Sequence, residues 1–188
     1  MTTNQRGKGD SPHLCEAPSG PFRQMGTVPF STLNVIIAGL GGQGVLTASD
    51  ILAEAAFESG LDVKKADVHG MSQRGGSVAS DVRFGPQVLS PMVPPGEADF
   101  LVVLAEDQVA IHQSALRPGG VLISPEMIDA QRLPNRRSVN VALLGKLSRH
   151  LKIEPGAWLE AIRRNLKPAL HEDNLRAFEI GRAPCEEQ

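Results

Sequence analysis

Asn34-Val35-Ile36-Ile37-Ala38-Gly39 is a short apolar, β-branched run that ends in the glycine-rich stretch Gly39-Leu40-Gly41-Gly42-Gln43-Gly44. A run of this kind suits a strand buried on both faces of a parallel sheet. Beyond the glycines, Leu46, Ile51, Leu52, Ala55, Ala56 and Phe57 recur at helical spacing between Val45 and Ser59, and Gly60 is placed as the stop. A strand, a tight glycine turn and a helix therefore open the folded part of the chain. Few architectures begin this way outside sheets with helices on both faces.

The remaining pattern extends that beginning. Leu61 to Val68 predicts a second strand, and the Gly-rich segment His69 to Gly76 predicts a loop. Ser77 to Phe84 alternates apolar with polar residues, and Gly85-Pro86 suggests a turn into Val88-Leu89 and hence a hairpin there. Ala98 to Ala105 predicts a buried strand and Glu106 to Leu116 a helix. Arg117-Pro118-Gly119-Gly120 then predicts a turn into the strand Val121-Leu122-Ile123-Ser124. After a loop at Gln131 to Arg137, helices are expected over Val141–Leu151, Gly156–Leu166 and Asn174–Ile180, separated at Pro155 and Pro168. The expected class is α/β and doubly wound. Its mostly parallel sheet has a Rossmann-like first βα unit, a hairpin excursion and a helical C-terminal third.

Composition bounds the function. The 188 residues, 41% hydrophobic and 21% charged, fit one domain over residues 34–182. Residues 1–33, rich in Gly, Pro, Ser, Thr and Gln, read as a flexible extension, and residues 183–188 as a tail. A formal net charge of -2 offers no general attraction to nucleic acid or anionic membrane. No apolar stretch reaches the roughly 20 residues needed to cross a bilayer, and no secretory signal core is present, so a cytoplasmic location is expected. Cys15 and Cys185 are the two cysteines, which supply neither a paired zinc spacing nor the thiolates of an iron-sulfur cluster. No metal site is expected on this chain, and free thiols are expected in preference to a disulfide.

Gly39, Gly41 and Gly44 satisfy the dinucleotide fingerprint, in which amides at a helix N-terminus hold a pyrophosphate and an acid on strand two takes the ribose hydroxyls. Asp67 is the candidate acid for such a nicotinamide or flavin site. Gly42 and the polar Gln43 depart from the usual loop. Two other readings therefore stand beside it: a glycine turn that serves packing alone, and a loop that meets another phosphate or a partner chain. In the second loop, His69-Gly70-Met71-Ser72-Gln73-Arg74-Gly75-Gly76, Arg74 could dock a carboxylate or phosphate in bidentate fashion. The flanking Gly70, Gly75 and Gly76 would admit a large group close to the backbone. Met71 and Gln73 complete the loop, for which an ordinary surface turn is the other reading. Arg74 and His69 are the catalytic candidates, although a single His without a nearby partner more often serves structure.

At these two loops the sequence closely resembles the gamma subunit or domain of 2-oxoacid:ferredoxin oxidoreductases. The resemblance includes Ala38-Gly39-Leu40-Gly41-Gly42-Gln43-Gly44-Val45-Leu46, Gln73-Arg74-Gly75-Gly76-Ser77, Ser90-Pro91 and Ala98-Asp99. It continues through Leu116-Arg117-Pro118-Gly119-Gly120, Asn140-Val141-Ala142-Leu143-Leu144-Gly145, Ala157-Trp158-Leu159-Glu160-Ala161-Ile162 and Asn174-Leu175-Arg176-Ala177-Phe178-Glu179. Pyruvate and 2-oxoglutarate members typically differ at the second loop. The form seen here resembles the small subunit of the indolepyruvate branch.

That resemblance implies oxidative decarboxylation of a 2-oxoacid with coenzyme A as co-substrate. It implies a large partner subunit carrying thiamine diphosphate, Mg2+ and 4Fe-4S clusters, ferredoxin as electron acceptor, and no cofactor bound by this chain alone. The chain would be inactive in isolation. Gly39, Gly41, Gly42, Gln43, Gly44 and His69 to Gly76 would line an interface or the coenzyme A channel. A free-standing nicotinamide or flavin oxidoreductase and a non-enzymatic assembly module are the alternatives that the residues leave open.

Overall fold

The computed structural model describes residues 32–69 and 76–184. Five strands form one sheet: β1 (Leu33–Leu40), β2 (Asp62–His69), β3 (Ser77–Gly85), β4 (Ala98–Val103) and β5 (Leu116–Ile123). Their order is β2-β3-β1-β4-β5. β1 pairs parallel with β4, and β4 with β5, while β3 is antiparallel to both β1 and β2. β3 alone therefore runs against the other four. The helices are α1 (Val45–Glu58), α2 (Val109–His112), α3 (Val139–Ser148), α4 (Pro155–Asn165) and α5 (His171–Arg182).

Both faces of β1 are covered, as its unbroken apolar run requires. On one face Val35, Ile37, Val82, Phe84, Phe100, Val102 and Ile123 pack with residues of α1, α3, α4 and α5 into the larger core, which holds Trp158 and Phe178. On the other, Ile36, Ala38, Leu101 and Val103 form a smaller core with Val93, and Val109 of α2 packs against it. The sheet is thus wound on both faces, but unequally. No helix among the described residues is long and apolar enough to cross a membrane.

The hairpin lies elsewhere than expected. β3 turns back on β2, with Asp62 opposite Gly85 and His69 opposite Val78, and its other edge is taken by β1. No free edge of β3 is left for Val88-Leu89, so these residues form no strand. Instead the Val88 N–H donates to Asp62 Oδ2 (2.8 Å), and the Val93 N–H donates to Asp81 Oδ2 (2.9 Å). The Val88 bond, aided by Lys64, holds the Asp62 carboxyl below its ordinary range. Burial pushes that of Asp81 above it, against the opposing Val93 bond.

Two further expectations change. The helix expected from Glu106 is a 3-10 turn (Glu106–Gln108), the single turn α2 and a second 3-10 turn (Gln113–Ala115). Arg117 to Gly120 is not a turn before β5 but a bulge within it. The register passes from Ala98 opposite Leu116 to Phe100 opposite Val121.

Candidate functional site

The chain leaves β1 at a turn that Gln43 closes twice. Its N–H donates to the Leu40 carbonyl (3.1 Å), and its Oε1 accepts from the Leu40 N–H (2.8 Å). Gly39 is required by this fold-back: a Cβ there would meet Gln43 Oε1 at 2.9 Å and Leu104 Cβ at 3.0 Å. Gly42 and Gly44 have φ of 94° and 85°, the left-handed region that favours glycine. Gly44 is the N-cap of α1, and its carbonyl accepts from Ala48 (2.9 Å) and from Asn140 Nδ2 (3.3 Å). The first turn of α1 has neither a side-chain cap nor an acidic residue. The positive end of the helix is therefore not neutralised by its own side chains.

The second loop arrives beside the first because β3 is antiparallel to β1. Leu40 stands opposite Ser77, and the Gly41 N–H donates to the Gly76 carbonyl (3.0 Å). Leu40, Gly41, Gly42, Gly44, Val45, Leu46, Thr47 and Val78 line an open groove of about 400 Å³ at this junction. The sequence-predicted residues Gly39, Gly41, Gly42, Gln43, Gly44 and Gly76 are thus brought together. His69 ends β2, and Gly70, Met71, Gln73, Arg74 and Gly75 lie outside the described residues, as do Cys15 and Cys185.

Asp67 is not beside the glycine turn. β3 separates β2 from β1, so two strand spacings, about 9.5 Å, lie between them. Asp67 is engaged locally, accepting from Ser80 Oγ (2.5 Å) and pairing with Lys65 (3.3 Å). The ribose-binding half of a dinucleotide site is therefore absent from its place on the strand next to β1. Among the described residues no three His, Cys, Asp or Glu side chains are grouped so as to hold a metal ion.

Two side chains at the junction were not singled out from the sequence as site residues. Asn140 reaches Gly44 from the start of α3 and also accepts from the Val141 N–H (2.9 Å). His112, the last residue of α2, places Nε2 2.9 Å from Ser77 Oγ, and burial pushes its pKa below the ordinary histidine value. Neither has a local signature, since each meets the loop only through tertiary packing.

Comparison with known proteins sets this geometry in a family. The model of the family described as pyruvate ferredoxin/flavodoxin oxidoreductase matches residues 34–129. The IorB subunit of indolepyruvate oxidoreductase from Thermococcus kodakarensis is 33% identical over 192 aligned positions, covering 79% of this chain and 93% of that protein. A gamma subunit of a keto/oxoacid ferredoxin oxidoreductase from Geobacter sulfurreducens shares the fold. Its TM-score is 0.67 at 23% identity, over 79% of this chain and 95% of that one. So does a 2-oxoglutarate:ferredoxin oxidoreductase from Magnetococcus marinus, solved with 2-oxoglutarate, coenzyme A and succinyl-CoA bound. There the TM-score is 0.70 at 20% identity, over 80% of this chain and 30% of that one.

Proposed function

Since the chain belongs to the pyruvate ferredoxin/flavodoxin oxidoreductase family, we propose that it is the small subunit of a 2-oxoacid:ferredoxin oxidoreductase of the indolepyruvate type. The observation that carries this reading is the junction of the two glycine loops through Gly41 and Gly76, beside an open groove at the start of α1. Such a groove offers backbone amides, the positive end of a helix and no side-chain carboxylate in that helix's first turn. Those features suit the phosphates of coenzyme A. They do not supply an electron relay or hold thiamine diphosphate, which this reading assigns, with Mg2+ and the 4Fe-4S clusters, to a larger partner subunit.

The complex would convert a 2-oxoacid anion and coenzyme A to an acyl-CoA and carbon dioxide, releasing one proton and passing two electrons to ferredoxin. Thiamine diphosphate on the partner supplies the stabilisation of the carbanion, which no side chain can match. The groove residues of this chain would hold the coenzyme in position and exclude water beside the reacting centre. Arg74, in the loop that leads to Gly76, is assigned a carboxylate or phosphate of the substrates.

The test is reconstitution with a thiamine-binding large subunit. The isolated chain should show no turnover, and the complex should prefer indole-3-pyruvate to pyruvate and 2-oxoglutarate. Loss of a charge-assisted contact of about 1.5–3 kcal/mol predicts that Arg74→Ala raises a substrate KM by roughly 10- to 150-fold with assembly intact. Failure to associate with a thiamine-binding chain would refute the assignment. Unchanged kinetics in Arg74→Ala would remove the loop's role.

A further inference from the structure

Ser77 occupies a hinge position. On one side of it Gly76 accepts from the Gly41 amide, and on the other Val78 forms part of the groove wall. Whatever fixes Ser77 therefore fixes both. Its register partner is Leu40, so its side chain points with those of Ala38 and Ala79 toward the smaller core. The segment packed there is α2, which presents Val109 to that core and His112 Nε2 to Ser77 Oγ at 2.9 Å.

We propose that His112 is a positioning residue, acting through Ser77 to seat Gly76 against Gly41 and so to set the mouth of the coenzyme groove. His112 is not among the groove-lining residues, and it approaches the sheet from the face opposite α1. Its effect must therefore pass through the end of β3. Gly76 has no side chain to pack, so the strand end depends on its hydrogen bonds. Among the described residues these include the pairing with Leu40, the Gly41 bond and the His112 contact. Half-burial makes an imidazole suited to the task. With water partly displaced, a single directed bond from a ring with fixed geometry restrains the hydroxyl. The inference rests on the reading of the groove as a coenzyme A site, but the seating of Gly76 can be measured without it.

The experiment uses the full chain as wild type and as Ser77→Ala, His112→Ala and His112→Gln. The glutamine places an amide at about the reach of Nε2. First, exchange of the Gly41 amide is followed by NMR. Loss of one ordinary hydrogen bond predicts about three- to tenfold faster exchange in both alanine variants and near-normal exchange in His112→Gln. Exchange that does not change in the alanine variants overturns the proposal, whatever the enzyme does. Second, in the reconstituted complex the alanine variants should raise KM for coenzyme A by a similar factor. Their kcat and KM for the oxoacid should stay near wild type, and His112→Gln should restore the loss. Faster exchange with normal coenzyme A kinetics overturns the positioning role. A complex that lacks turnover even with the wild-type chain overturns the subunit assignment, and the exchange result then decides the seating of Gly76.

Discussion

Replacing Gly44 by alanine should cost more than replacing Gly42, although both have positive φ. At Gly42 the added Cβ meets nothing within 4 Å, so Gly42→Ala reports backbone strain alone. That strain is about 1–2 kcal/mol, less up to about 1 kcal/mol recovered from a stiffer unfolded chain. At Gly44 the Cβ would lie 2.5 Å from Asn140 Nδ2, about 1 Å inside ordinary contact. The amide can swing away, but it then gives up its bond to the Gly44 carbonyl. That loss adds about 0.5–1.5 kcal/mol. Gly44→Ala is therefore expected to lose about 0.5–3.5 kcal/mol, and about 0.5–1.5 kcal/mol more than Gly42→Ala, read from the shift of a urea midpoint at constant m. In an Asn140→Ala background the difference between the two glycine variants should vanish, because the obstructing amide is gone. Equal costs in the native background, or a difference that survives removal of Asn140, would refute the reasoning.

Three other substitutions probe the same packing. Gln43→Met removes the acceptor for the Leu40 N–H and should cost about 1–3 kcal/mol, whereas Gln43→Glu keeps an acceptor there and should cost less in the same urea assay. Among the described glycines Gly181→Ala should be especially damaging, because its Cβ would overlap the Ala142 carbonyl and backbone cannot rotate aside. About 3 kcal/mol or more, a melting-temperature drop of roughly 6–12 °C, is expected by thermal denaturation. His112 has a depressed pKa, so the unfolded chain takes up its proton first as pH falls. Its contribution to stability should be complete above about pH 6.5 and decline below it, and His112→Gln should flatten that part of the profile.

The sequence made legible what short-range pattern determines. β1, the glycine turn and α1 follow from one apolar run, three glycines and one helical stripe, and the helices α3 to α5 appear close to their expected bounds. What it concealed was partner choice. The alternation from Ser77 to Phe84 identifies a strand but cannot say that β3 slides between β1 and β2, since pairing is decided by which edge is free after the helices have packed. Hence the hairpin was expected with Val88-Leu89. The short α2 was overestimated for a related reason: Val109 alone of its residues packs against the smaller core, which leaves little to extend a helix. Asn140 and His112 were missed because their roles exist only at distances of 96 and 35 residues along the chain.

The inserted strand also bears on how the fingerprint at Gly39, Gly41 and Gly44 should be interpreted. In a sheet where β2 lay beside β1, the acid at its end would face the glycine turn, and a dinucleotide could bridge the two. Here β3 occupies that place and runs the other way, so its beginning, not its end, adjoins the turn. The neighbour of the glycine turn is then Gly76, just before β3, whose carbonyl accepts from the Gly41 N–H. A helix N-terminus without an acid at the end of the neighbouring strand lacks the ribose-binding half of a dinucleotide site. That arrangement argues against the reading in which Asp67 takes the ribose of a dinucleotide held by the turn after β1.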